Sequence, residues 1–308
     1  MKLSERLTGV GYRLGWKAIC RVPEPWARMA FLATADIAWR HQGRGVQQLE
    51  ANLRRVIGYD SLEPEEAGAI LRDASRRTLR SYARYWQEAF RLPVIPTDRI
   101  VSGMHCNEDG EQAAFRNLKA GRGVIFALPH MGNFEQAGIW IIARGAGSFT
   151  TVMERLKPES VYDAFVKFRE GIGFEVLPLT GGGSPFGVLA QRLRNGGLVC
   201  LVSDRDLTES GVEVTLFGEP ARIAAGPAAL AVQTGAALMP VATWFEGDDE
   251  WGARIFEEIP IPDSGDRKEK VRVMSQQLAA AWERAILEHP ADWHMLQKVF
   301  TRDLNGSR

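Results

Sequence analysis

His130 and Glu135 are the two residues whose types and spacing point most directly to chemistry. The histidine follows Val124-Ile125-Phe126-Ala127-Leu128-Pro129, an apolar run of strand length that stops at a proline. Proline lacks a backbone donor and biases the residue before it toward an extended conformation, so the strand is predicted to end there. Asn133 stands where it can cap a helix running through Gln136-Ala137-Gly138-Ile139-Trp140-Ile141-Ile142. His130 then lies at the carboxyl end of a strand, where open α/β sheets hold their ligands. Within one regular helix, two residues five apart point about 140° away from each other. With His130 in the loop and Glu135 in the first turn, the carboxylate reaches back toward the imidazole. A carboxylate on one ring nitrogen leaves the other as a base. The same spacing also occurs in a solvated loop histidine followed by a helix-terminal glutamate.

Three further stretches carry candidate groups. Ser203-Asp204-Arg205-Asp206 follows the apolar Leu198-Val199-Cys200-Leu201-Val202, so its charges also fall at a strand's carboxyl end. It reads either as a surface salt-bridge cluster or as a polar acceptor site, with carboxylates on sugar or glycerol hydroxyls and Arg205 on a phosphate. Thr180-Gly181-Gly182-Gly183-Ser184-Pro185 opens a helix at 185–195, with Ser184 as cap. Backbone amides at Gly181, Gly182, Gly183 and Ser184 suit the phosphate of an acyl-CoA, or form a tight loop without ligand. Arg155 and Arg169 flank a helix at 158–170, for a phosphate or a surface carboxylate. The chain has no G-x-S-x-G and no H-E-x-x-H, so neither a nucleophile elbow nor that zinc motif is supported.

The elements that must position these groups divide the chain. Residues 1–42 read as helix broken near Pro23 and Pro25, with Leu3, Leu7, Val10, Leu14 and Ala18 on one face. Lys2, Arg6, Arg13, Lys17 and Arg21 surround that face, and Trp16 and Trp26 lie nearby, a composition suited to lipid headgroups. Helices follow at 44–57 and 64–91. In the second, Arg72, Arg76, Arg77, Arg80 and Arg84 cover one side, expected either to be solvated or to face a phospholipid surface. From about residue 100, short apolar runs alternate with helical ones. Strands are expected at 124–128, 149–153, 174–178, 198–202, 212–216, 237–245 and 252–259, and helices at 134–144, 158–170, 184–195, 226–234 and 267–288. The predicted class is α/β: a central, largely parallel mixed sheet flanked by helices, with a helical N-terminal third.

The chain is neutral overall, but residues 1–99 hold 17 Lys+Arg against 11 Asp+Glu, and the remainder carries the opposite excess. A basic first third suits an anionic membrane surface. A neutral chain without a binding motif argues against nucleic acid as partner. Cys20, Cys106 and Cys200 lie far apart, as reduced thiols do, and form no metal-ligand pattern with the histidines. No run approaches the roughly 18 apolar residues of a membrane span.

Together, Leu128-Pro129-His130-Met131-Gly132-Asn133-Phe134-Glu135, Glu154-Arg155, Phe168-Arg169-Glu170 and Ser203-Asp204-Arg205-Asp206-Leu207 resemble motif blocks of the late lipid acyltransferases of bacteria, the lipid A lauroyl/myristoyl acyltransferase family. The resemblance continues in order through Phe217-Gly218-Glu219-Pro220-Ala221, Gly226-Pro227-Ala228 and Thr234-Gly235-Ala236 to Pro290-Ala291-Asp292-Trp293. It implies one acyltransferase domain over 1–308, with 1–99 as its basic membrane-facing part and 100–308 as its α/β catalytic part. It implies an acyl-CoA-dependent O-acyltransferase, peripheral on the cytoplasmic face of the plasma membrane, needing no metal and no cofactor beyond acyl-CoA as co-substrate. The likeness is nearest to the actinobacterial branch, which implies a long chain, typically palmitoyl, moved to a mannose hydroxyl of a mannosylated phosphatidylinositol. By carry-over His130 is the general base and Glu135 its relay partner, while Arg155, Arg169, Asp204, Arg205 and Asp206 bind substrate. An N-terminal span, general in the lipid A enzymes, is missing, and Lys157-Pro158 stands where they tend to have Asn-Pro. Both departures favour the mannoside over lipid A. The alternatives are another glycolipid or lysophospholipid acceptor, acyl carrier protein as donor, or a non-catalytic peripheral lipid-binding protein.

Overall fold

The computed structural model describes residues 15–155, 159–180, 184–206 and 210–305. Most of the apolar face expected near the N-terminus, and Gly181, Gly182 and Gly183, therefore lie outside the described residues. Seven strands form the main sheet: β1 (Met104–Cys106), β2 (Val124–Leu128), β3 (Phe149–Met153), β4 (Phe174–Pro178), β5 (Leu198–Val202), β8 (Ala237–Glu246) and β9 (Glu250–Ile255). Their order is β1-β9-β8-β2-β5-β3-β4. All neighbours from β8 to β4 are parallel, β9 runs antiparallel to β8, and β1 pairs parallel with β9. The expected mixed, largely parallel sheet is what the chain forms.

β2 lies near the middle and every residue in it is buried, because helices cover both faces. Its side chains alternate between two cores. Ile125 and Ala127 join Val199, Leu201 and Leu238 under helices Pro185–Arg194, Gly226–Thr234 and Arg267–Glu288. Val124, Phe126 and Leu128 join Trp140, Phe149, Phe165 and Phe174 under helices Phe134–Ile141 and Glu159–Gly171. A continuous apolar run is what a strand covered on both sides requires, which is why this one was readable from sequence.

Two expectations change. Val212–Leu216 (β6) does alternate, but it pairs antiparallel with Glu219–Ile223 (β7) as a hairpin outside the main sheet. Phe217 and Gly218 turn it, both at positive φ, as a two-residue hairpin loop demands. The segment 92–110, for which no element was expected, contains helix Thr97–Gly103, the three-residue β1 and the start of helix Glu108–Lys119. β1 is too short to announce itself. It is fastened by Asn107, whose side chain donates to Ile255 O (3.0 Å) and accepts from Ile255 N (2.8 Å), as a strand backbone would.

The N-terminal helices Glu24–His41, Arg44–Val56 and Pro64–Arg91 share a small core of Ala35, Leu49, Leu53, Leu71 and Leu79. The long helix starts with Pro64 in its first turn, where its missing donor costs nothing, and Glu65 and Glu66 suit the dipole there. Its arginine side does not stand open as a row. Arg76 and Arg80 both bond Asp36 of helix Glu24–His41. Arg77 pairs with Asp73. Arg84 is buried against Phe245, donating to Glu88 and to the carbonyls of Gly247 and Asp248. Only Arg72 of the five remains exposed without an ion pair among the described residues.

Candidate active site

β2 ends at Leu128 and the chain turns through Pro129-His130-Met131-Gly132 into helix Phe134–Ile141. Asn133 caps that helix as expected, accepting from Gln136 N at 3.1 Å. Gly132 has φ +56°, and a Cβ there would collide with the Thr243 carbonyl, so the turn admits little else. The segment Asp292-Trp293-His294 lies antiparallel against it. Gly132 N donates to Asp292 O (2.9 Å), His294 N donates to His130 O (2.7 Å), and Met131 bridges Trp293.

The histidine's carboxylate partner is Asp204. Ser203 N donates to Leu128 O at 2.8 Å, which prolongs the β2–β5 ladder past both strands and sets Asp204 beside His130. His130 Nδ1 lies 2.6 Å from Asp204 Oδ1, and His130 N donates to Oδ2 at 2.9 Å. The Trp293 indole N–H donates to the same Oδ2 at 2.9 Å. Asp204 is 2% exposed, whereas the imidazole is 31% exposed. Burial by itself would raise the Asp204 pKa. The His130 ring, its charge and hydrogen bond, and the Trp293 donor outweigh burial and hold it below the ordinary value. The carboxylate accepts, so Nδ1 carries the proton and Nε2 is left as the basic nitrogen.

Glu135 does something else, which corrects the expected dyad. It is buried in the first helical turn, and its carboxylate takes the guanidinium of Arg169 through Nε (3.2 Å) and Nη2. Burial works against the Arg169 charge, but Glu135 more than restores it, so the Arg169 pKa is raised. Burial, and then Glu135, also push the Tyr85 phenol well above its usual value. Helical geometry explains the exchange: Glu135 points toward helix Glu159–Gly171, while Asp204 shares a sheet edge with His130.

The remaining candidates separate. Asp204 is taken by His130 and Trp293 rather than standing open to an acceptor. Asp206 closes its own loop, accepting from Gly211 N (2.8 Å) and meeting Arg222 (3.3 Å). Arg155 pairs with Glu159 at the surface. Arg205 lies 3.6 Å from Glu154, with its Nε buried and without a hydrogen-bond partner among the described residues. Ser184 precedes helix Pro185–Arg194 but makes no capping hydrogen bond.

Sequence reasoning missed Glu88. It is buried and accepts from Arg84 (2.6 Å), Asn133 (2.7 Å), Gln136 (3.1 Å) and Trp251 (2.9 Å), tying the long helix to the start of the helix after His130. The available signal was an acid set among the aromatic residues Tyr85, Trp86 and Phe90 near the end of the helix. Two cavities flank the site. An apolar one of about 100 Å³ lies among Phe126, Leu128, Phe134, Trp140, Phe149 and Phe174, with Glu135 and Arg169 at its wall. A more polar one of about 610 Å³ lies among Glu154, Ser184, Ser203, Arg205, Asp206 and Gly226. Val152 and Val202 line both. Cys20, Cys106 and Cys200 are free thiols. Among the described residues one trio, His105, Glu246 and Glu250, has ligand-type spacing, on the β1–β9 side of the sheet.

With this geometry in view, the sequence matches the family described as bacterial lipid A biosynthesis acyltransferase over residues 6–302. It is 46% identical over 307 residues to a phosphatidylinositol mannoside acyltransferase of Mycolicibacterium smegmatis, covering 99% of this chain and 95% of that one. It is 47% identical over 309 residues to the Mycobacterium tuberculosis protein of the same name, covering 98% and 91%. Among solved structures, the 1-acyl-sn-glycerophosphate (LPA) acyltransferase PlsC of Thermotoga maritima aligns over 88% of this chain and 99% of that chain at 12% identity. Its TM-score is 0.38, too low to carry an argument.

Proposed function

The chain belongs to the bacterial lipid A biosynthesis acyltransferase family, and from that premise we propose that it transfers a long acyl chain from acyl-CoA to a mannose hydroxyl of a mannosylated phosphatidylinositol. Membership supplies the acyltransferase activity, and the names of the relatives supply the acceptor. The observation that carries the mechanism is the His130–Asp204 pair at the carboxyl ends of two adjacent parallel strands. In this reading Nε2 of His130 removes the proton from the acceptor hydroxyl as the oxygen attacks the thioester carbonyl. The C–S bond then breaks, and the imidazolium returns the proton to the departing thiolate. Asp204 orients the ring and balances the transient imidazolium, a contribution with Nε2 of about 10²–10⁴-fold. The apolar cavity between Phe134 and Phe174 suits the acyl chain, and the polar one beside Arg205 suits charged or hydroxylated groups. Gly132 N is no candidate for the oxyanion, because Asp292 O already takes it.

Because the acceptor is a lipid, the reading includes peripheral contact with the cytoplasmic face of the plasma membrane. Its support is an exposed apolar row on helix Glu24–His41: Trp26, Met29 and Ile37 are 64%, 58% and 52% exposed, with Val22 just before them. No described helix is long and apolar enough to cross a membrane. The test is incubation with palmitoyl-CoA and purified mannosylated phosphatidylinositol, followed by mass spectrometry of the lipid and assay of released thiol. His130→Ala is expected to abolish both signals while leaving the circular dichroism of the fold unchanged. Wild-type turnover by that variant would remove His130 from the chemistry. Lipid binding without thiol release from any acyl donor would make the protein a binder rather than an enzyme.

A further inference from the structure

We propose that Trp293 is a positioning residue for the acyl-transfer centre: its indole N–H locks the carboxylate of Asp204 in the rotation that presents Oδ1 to His130. This rests on the reading of His130 as the base. The Asp204 carboxylate has two oxygens and three donors. Oδ1 meets the imidazole at 2.6 Å, while Oδ2 takes His130 N and Trp293 Nε1, each at 2.9 Å. The two contacts from His130 come from one residue on a turn and can move together. Trp293 is the independent anchor, since it enters from the far end of the chain and is 0% exposed.

The anchor is itself held. Trp293 is bridged to Met131, between the hydrogen bonds Gly132 N to Asp292 O and His294 N to His130 O. On either side of it, Asp292 accepts from Ser81 and from Phe245 N, and His294 Nε2 lies 2.8 Å from Ser81 Oγ. The segment after helix Arg267–Glu288 thus clamps the His130 turn with its backbone and the Asp204 carboxylate with the Trp293 indole N–H. A phenylalanine would fill much of the same space against Phe217 but could not donate. Hydrogen bonds to a buried charge are among the stronger ones, and leaving one unmade frees the acceptor to turn.

Trp282 provides a matched control. It is equally buried, and its indole donates to Ala127 O at 3.1 Å, a strand carbonyl rather than the His130 partner. We expect Trp293→Phe to lower kcat about tenfold or more, with KM for both substrates within about twofold. In the NMR spectrum the downfield proton of His130 Nδ1 should broaden or vanish. Trp282→Phe should lose thermal stability comparably and keep both kcat and that resonance. If Trp293→Phe fails to fold, 3-benzothienylalanine at position 293, which replaces the N–H by sulfur in the same ring shape, carries the same expectation. Wild-type kcat and an intact resonance in the donor-free variant would overturn the proposal. So would equal activity losses in the two phenylalanine variants that track their folded fractions. Failure of the general-base reading looks different: His130→Ala retains turnover, while the Nδ1 resonance still responds to loss of the Trp293 donor.

Discussion

Substitution at the two acids separates their roles. Asp204→Asn leaves a group of the same shape that favours the wrong imidazole tautomer and no longer balances the imidazolium. The expected outcome is a fall in kcat of roughly 10²–10⁴-fold with little change in KM. Glu135→Gln instead strips the countercharge from Arg169, whose side chain is only 15% exposed. Removing one member of a buried pair costs about 3–5 kcal/mol, so the urea midpoint should fall far more than kcat of the folded fraction. Measuring kcat and the midpoint on both variants decides the matter. Turnover preserved in Asp204→Asn, with a specific collapse in Glu135→Gln at unchanged stability, would return the orienting role to Glu135. His130 was legible because a strand run, a proline and a capping asparagine surround it within a few residues. Asp204 was legible only as a charged residue after a strand. Its partnership depends on β5 lying beside β2, a register that spacing along the chain does not encode.

Elements with a local signature were readable and those held by distant partners were not. Helix Pro64–Arg91 declares itself by period and by its opening proline, but the destination of Arg76 and Arg80 does not follow from the helix. Arg76 and Arg80 find Asp36 because helix Glu24–His41 approaches from that side, while Arg84 pairs one turn along its own helix with Glu88 and reaches the carbonyls of Gly247 and Asp248. The segment 290–294 has no periodicity at all, yet it braces the His130 turn, and one of its residues gives a pH test. Burial, with the nearby His130 charge, pushes the His294 pKa down to about 3 from an ordinary 6.5. The unfolded chain therefore binds a proton below about pH 6.5 that folded His294 refuses until about 3. Its contribution to stability is complete above that window and is lost as pH falls through it, at about 1.4 kcal/mol per unit. His289, lowered by burial, acts in the same direction. Glu88 and Asp292, raised by burial, act in the opposite one. The informative quantity is thus a difference. His294→Gln keeps the backbone donor to His130 O and should show a shallower loss of thermal stability between pH 6.5 and 4 than the wild type. Parallel curves would mean that His294 is protonated in the folded protein.

At the scale of the whole molecule the proposed reaction requires that a soluble acyl donor and a bilayer-bound acceptor meet at one histidine. A basic first third made electrostatic attraction the natural expectation, with the arginines of the long helix as its agents. The folded chain spends three of those arginines on Asp36 and Glu88, and the chain as a whole has no net charge. Reversing them would break internal ties before it tested a membrane. The apolar row on helix Glu24–His41 is the better probe, because Trp26, Met29 and Ile37 face outward while Ala27 and Ala35 face the protein. Full burial of such a side chain is worth about 1.5–3 kcal/mol, so immersing even part of each at the headgroup boundary gives roughly tenfold in partition per residue. Trp26→Ser, Met29→Ser and Ile37→Ser combined should lower binding to phosphatidylinositol-containing vesicles by about 10²–10³-fold. Thiol release with a detergent-dispersed acceptor should be retained. Leu287→Ser, on the exposed side of helix Arg267–Glu288, serves as the control and should change neither. Attachment through an apolar row also predicts a shallow salt dependence, since screening acts on charges and not on buried area. Vesicle binding that survives the triple substitution but disappears on raising salt would shift the contact back to the basic residues.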